Sequence, residues 1–204
     1  MIDHILWACP DLDIATKTFH DLSGVKPAFG GAHAKGGTWN ALVALGSGKY
    51  LEIIAPNPSQ PEADAWRDHF MTLEKPKLFT FCVAPDGGVG DLPARMAAAG
   101  LTGSGPIADG RQRPDGTMLT WNLYFPDPVD DLPVPFFIEW TSPEHPSYSS
   151  PTGCSLEQLT VIHPAAGRLR EIYRLLAVDV MVVSGPEAAI VADLRTPAGP
   201  VRLT

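Results

Sequence analysis

A strand that closes in proline and runs into a helix recurs three times in this chain, and that recurrence limits the fold more than any other feature. The runs His4-Ile5-Leu6-Trp7-Ala8-Cys9-Pro10-Asp11, Phe79-Thr80-Phe81-Cys82-Val83-Ala84-Pro85-Asp86 and Gln158-Leu159-Thr160-Val161-Ile162-His163-Pro164 are largely apolar. Proline cannot donate to a sheet ladder, so it ends each strand. A stripe at helical spacing follows each run: Leu12, Ala15, Phe19 and Leu22, then Val89, Leu92, Met96 and Ala99, then Leu169, Ile172, Tyr173 and Leu176. Asp11 is placed to cap the first helix, and Gly24 and Gly100 to stop the first and second.

Three strand-like segments succeed each helix. They lie at 26–29, 39–45 and 50–55, then at 103–107, 118–124 and 134–140, then at 178–184, 189–194 and 200–203. Gly46-Ser47-Gly48 and Pro114-Asp115-Gly116 supply turn signals between them. The order is βαβββ nearly three times over. The expected fold is therefore α+β, with tandem βαβββ modules forming a curved, U-shaped mixed sheet and the helices outside. Residues 1–150 make the pair, as modules 1–58 and 76–141. A linking helix over 61–73 joins them, with Ala63, Trp66 and Phe70 on one face, and 154–204 make a third, degenerate module packed on the pair.

Composition narrows the function classes. Among 204 residues, 15 Lys and Arg face 23 Asp and Glu, a net charge of −8 with no basic cluster, which excludes a phosphate-backbone binder. No run approaches the roughly 18–20 apolar residues that a membrane span needs. The opening Met1-Ile2-Asp3-His4 has no basic segment of the secretory kind. Cys9, Cys82 and Cys154 are odd in number and far apart, as expected of reduced thiols in the cytoplasm.

Equivalent strands place equivalent side chains in equivalent surroundings. Six residues before each closing proline stand His4, Phe79 and Gln158, and Glu52 and Glu139 sit inside the apolar fourth strands of the first two units. A carboxylate in such a setting must be protonated, paired or bound to a metal. A cup of paired sheets brings His4, Glu52 and Glu139 to its concave face, where one imidazole and two carboxylates suit zinc, manganese, iron or nickel.

The segments Asp3-His4-Ile5, Gly30-Gly31-Ala32-His33 with Gly37-Thr38-Trp39-Asn40, Tyr50-Leu51-Glu52 and Pro135-Phe136-Phe137-Ile138-Glu139-Trp140 resemble the glyoxalase-like proteins of the vicinal oxygen chelate superfamily. The resemblance covers most of residues 1–148. It implies a sheet curled around a divalent ion held by His or Gln from each first strand and Glu from each fourth. His4, Glu52 and Glu139 match that set; Phe79 departs from it. It also implies pairing of units across a dimer. His33 then stands as an acid–base group at the rim, beside Glu139 as the displaced carboxylate, and Asn40, Trp121, Arg111 and Arg113 as groups that hold a small-molecule substrate. Two activities follow. One is a metal-dependent lyase or isomerase acting on a molecule with neighbouring oxygens. The other, favoured by Phe79, is a metal-free protein that binds or sequesters a small molecule. An iron dioxygenase is disfavoured, since that chemistry uses two histidines and one carboxylate.

Overall fold

A computed structural model describes residues 1–33, 36–46, 48–60, 65–113 and 115–204. The first unit consists of β1 (Ile2–Ala8), α1 (Leu12–Ser23), β2 (Ala28–Ala32), β3 (Thr38–Ala44) and β4 (Tyr50–Pro56). Helix α1 starts because the Asp11 side chain accepts the Ile14 N–H at 2.9 Å, and it stops where Gly24 turns left-handed at φ 76°. Its stripe buries Leu12, Ala15 and Phe19, while Leu22 lies 48% exposed, one position off the buried face. After α2 (Ala65–Met71) the second unit follows as β5 (Lys77–Val83), α3 (Leu92–Ala98), β6 (Gly103–Gln112), β7 (Met118–Pro126) and β8 (Phe136–Trp140). The expected linking helix is described only from Ala65, so Ala63 lies outside the described residues, as do Ser47 and Pro114 of the expected turns.

Within each of these units the first strand pairs in parallel with the fourth, β1 with β4 and β5 with β8. The two first strands then pair antiparallel with each other. The result is one eight-stranded sheet in the order β2-β3-β4-β1-β5-β8-β7-β6. It curls until its outer edges approach. His33 bridges to Arg111, and the Arg111 guanidinium donates to the Gly30 carbonyl across the gap.

Besides a register shift between Ser104 and Ile107 of β6, three irregularities bear on the concave face. Between Ile2↔Val83 and His4↔Cys82 strand β1 carries one extra residue, Asp3; between Leu6↔Thr80 and Trp7↔Leu78 strand β5 carries one extra, Phe79; between Phe29↔Ala41 and Gly31↔Asn40 strand β2 carries one extra, Gly30. Such bulges re-aim side chains at the expense of one ladder position. Phe79 therefore does not stand opposite the place His4 holds. The residue paired with His4 is Cys82, and Phe79 packs edge-on against Trp66 and Phe70.

The third unit, β9 (Ser155–His163), α4 (Ala166–Leu176), β10 (Met181–Ser184), β11 (Ala189–Thr196) and β12 (Gly199–Leu203), repeats the element order but not the pairing. Its sheet runs β10-β9-β11-β12, so its first strand lies between the second and third rather than beside the fourth. Leu169, Ile172, Tyr173 and Leu176 of α4 are all buried, in one core with Ile5, Phe19 and Phe81 on the convex face of the large sheet. The Tyr173 hydroxyl anchors the contact by donating to the Pro133 carbonyl at 2.5 Å. The third unit thus pads the back of the sheet. Its Arg202 is exposed and paired with Asp193.

A Cβ at Gly30 would lie 2.3 Å from Asn40 Oδ1, 2.9 Å from Arg111 Nη1 and 3.1 Å from Leu42 Cγ. Gly30→Ala should therefore cost roughly 1–3 kcal/mol through overpacking, read as a lower urea midpoint at unchanged m-value.

Candidate functional site

The concave face of the large sheet encloses a cavity of about 430 Å³ whose two ends differ in chemistry. The polar end is built by the first unit and the edge of β6: His4 from β1, His33 just after β2, Asn40 from β3, Glu52 from β4 and Arg111 from β6. The apolar end is built by α2 and the second unit, with Trp66, Leu123, Phe125, Phe136 and Ile138 on the wall.

Glu52 is the hub of the polar end. It is 5% exposed, and its Oε1 accepts the Asn40 side-chain N–H at 2.6 Å. His4 Nε2 lies 3.5 Å from Oε2, and His33 Nε2 lies 3.5 Å from Oε1. Each imidazole is fixed from behind. His4 Nδ1 sits 2.6 Å from Asp3 Oδ1 and its ring stacks on Tyr50 at 4.6 Å; His33 Nδ1 sits 2.8 Å from Thr38 Oγ1. A ring nitrogen held in this way sets the role of the other one.

Asp3 is buried and serves three donors. Besides His4, its Oδ2 accepts the Trp140 indole N–H at 2.9 Å and faces His145 Nε2 at 3.1 Å. Burial by itself would raise its pKa, but the hydrogen bonds from His145 and His4 outweigh that and hold the carboxyl well below the usual range. It is a carboxylate throughout the physiological range. The His33 pKa is lowered as well, here by burial, which disfavours its charged form and is only partly offset by Glu52, so it is neutral at pH 7. Arg111, 4% exposed, has its affinity for the proton lowered by burial yet remains a guanidinium cation.

Two of the residues expected here are elsewhere. Glu139 does not face the cavity. On β8 Phe136, Ile138 and Trp140 line it, so by strand alternation Phe137 and Glu139 point to the other side, where Phe137 joins the convex core and Glu139 reaches the Gly88 turn. A shift of one residue in reading a strand reverses every side chain. Arg113 also lies off the cavity and is neutralised by Glu144 at 2.6 Å. Asn40 and Trp121 do line the wall, Trp121 edge-on to His33 at 6.4 Å. Asp3, His145, Tyr50 and Trp140 belong to the site without having been singled out for it. A readable hint was the Asp-His pair at the head of an apolar strand, which the bulge at Asp3 turns to one side.

The ligand set implied by the resemblance is not brought together. With Glu139 on the opposite face the expected triad does not converge. Among the described residues no group of three His, Cys, Asp or Glu side chains is disposed to hold an ion. Around Glu52 the near position is taken by an amide N–H, a donor where a cation would need lone pairs.

A βαβββ pair curled around a common cavity is the architecture of the vicinal oxygen chelate fold. The glyoxalase-like domain family matches residues 2–177, and the chain belongs to that family. No curated protein matches it. Among solved structures, a hypothetical protein from Staphylococcus aureus is similar over 98% of this chain and 84% of its own, at 19% identity and TM-score 0.69. A substituted 4-hydroxymandelate synthase from Streptomyces coelicolor matches 99% of this chain and 61% of its own, at 14% identity and TM-score 0.52. Methylmalonyl-CoA epimerase from Mycobacterium tuberculosis matches 68% of this chain and 85% of its own, at 19% identity and TM-score 0.47. Among the described residues no helix is long and apolar enough to cross a membrane.

Replacing Asp3 leaves the buried His4 and the half-buried Trp140 and His145 short of a charge, so Asp3→Asn should cost roughly 3–5 kcal/mol at pH 7. A carboxyl depressed in the folded state stabilises above the unfolded value of about 3.9 and loses that effect as pH falls toward its folded value. The gap between Asp3→Asn and the unsubstituted protein should therefore be full at pH 7 and shrink below about pH 4, as measured by urea unfolding across that range.

Proposed function

We propose that this chain is a proton-transfer enzyme of the lyase or isomerase kind, acting on a small molecule with neighbouring oxygens and using its own side chains rather than a metal. The observation that carries the reading is Glu52, a buried carboxylate on the cavity wall with two imidazole nitrogens at 3.5 Å and one amide N–H at 2.6 Å. Asn40 occupies Oε1, which leaves Oε2 on the His4 side as the oxygen that takes a proton from carbon. His4, with the Asp3 carboxylate behind Nδ1, presents Nε2 to a substrate oxygen and stabilises the charge that develops there. His33, neutral at pH 7, offers Nε2 as a second hydrogen-bonding group beside the same carboxylate. Zinc, manganese, iron and nickel enter no step of this reading, because His4, Glu52 and Glu139, the ligands expected for them, do not converge.

A second reading rests on the apolar part of the cavity wall. Phe136 and Ile138 there are apolar, which suits a cup that binds or sequesters a molecule without transforming it.

The test is proton exchange in deuterium oxide with a panel of oxo acids, hydroxy acids and their esters, followed by mass spectrometry. Exchange with at least one member is expected, and Glu52→Gln and His4→Gln should each slow it by about 10²–10⁴-fold while the variants remain folded. The rate should be the same after chelation and after adding zinc, manganese, iron(II) or nickel. Binding without exchange transfers the protein to the second reading. A stoichiometric ion that is lost in His4→Ala overturns the metal-free mechanism.

A further inference from the structure

We infer that the ligand of this cavity is an amphiphilic monoanion, with a carboxylate head held by Arg111 and an aromatic or similarly bulky apolar body packed against Trp66, Phe125 and Phe136. The inference rests on the cavity's use as a substrate site, proposed above, and adds the class of molecule.

The Arg111 guanidinium is a buried charge that Glu52 influences only at a distance, outside any ion pair among the described residues. Arg111 is buried on the cavity wall, and its Nη1 donates to the Gly30 carbonyl, a neutral acceptor. Among the described residues it takes part in no ion pair, whereas Arg113, two positions along the same hairpin, is matched by Glu144. A guanidinium removed from water needs an anion and several hydrogen-bond acceptors, and a planar two-oxygen head supplies both at once. The nearest acids are committed. Glu52 is engaged by Asn40 and flanked by the two imidazoles, and Asp109, which also lines the cavity, accepts its neighbour Gly110 N–H at 2.8 Å. With those two carboxylates present, a dianionic body deep in the cavity would meet repulsion, so the charge is single and local to Arg111.

The far end fixes the rest of the molecule. Trp66 meets Phe125 at 5.8 Å and Phe136 at 5.6 Å, both edge to face, while Phe125 and Phe136 stack at 5.5 Å. Such a wall recognises a flat apolar group by contact geometry and offers little to a charged one. The cavity, at about 430 Å³, takes a head and a ring together.

The experiment uses quenching of tryptophan fluorescence, since Trp66, Trp121 and Trp140 all line the cavity. The probes are 3-phenylpropionate, its uncharged amide, phenyl phosphate and acetate. 3-Phenylpropionate should bind at least tenfold more tightly than the amide and than acetate, and more tightly than phenyl phosphate, which is largely dianionic at neutral pH; tighter binding of phenyl phosphate overturns the single charge. Arg111→Gln should weaken the anions at least tenfold and leave the amide unchanged, and Trp66→Ala should weaken all three aromatic probes alike. If Arg111→Gln fails to fold, Arg111→Lys keeps the charge without the fork and should weaken the anions by a smaller factor. Equal affinity for acid and amide, an unaltered anion affinity in the Arg111 variant that folds, or no binding of any probe overturns the inference. Anion binding that persists in a protein without proton exchange upholds it while the catalytic reading falls; exchange on uncharged esters that ignores Arg111 does the reverse.

Discussion

The antiparallel seam between β1 and β5 carries the structure. Without it the two βαβββ units are separate curved sheets with exposed edges; with it they form one sheet that can close on a cavity. The seam is also where chemistry enters, because the extra residue at Asp3 bends β1 so that consecutive side chains, Asp3 and His4, meet at 2.6 Å. In a regular strand those neighbours would point to opposite faces. One irregular ladder position therefore supplies both the continuity of the wall and the carboxylate that orients the imidazole.

The pair of units has divided its labour. The first holds His4, His33, Asn40 and Glu52, and the second gives the cavity Phe125, Phe136 and Ile138. Arg111 belongs to the second unit by sequence but to the polar end by position, because closure of the sheet brings β6 against β2. That closure depends on the absence of a side chain at Gly30, where Asn40 and Arg111 fill the space a Cβ would take. The convex face has no comparable polarity. It is an apolar layer shared with α1, α4 and the sheet of the third unit, and this padding keeps the thin curved wall from flattening.

Much of this was legible from local order. The helices announced themselves through stripes, an aspartate cap and a glycine stop, since their periodicity and end groups are properties of neighbouring residues. The βαβββ order was likewise readable, and with it the placing of His4 and Glu52 on strands facing a common interior. Glu139 was misplaced because a buried apolar strand such as Phe136-Phe137-Ile138 gives no alternation to tell its two faces apart. Arg113 was grouped with Arg111 because the sequence shows two arginines in one hairpin and not that Glu144 meets only one of them.

What the sequence determined alone is the set of elements and which of them could bury an acid, because periodicity, capping and proline breaks act within a few residues. What only the tertiary structure decided is the pairing and the aim. The third unit keeps the order of the others yet places its first strand between different neighbours. Asp3, Phe79 and Gly30 act through bulges that exist only against a partner strand. Pairing is set by contacts between residues far apart along the chain, and a one-residue offset there moves a carboxylate from the cavity to the opposite face of the sheet.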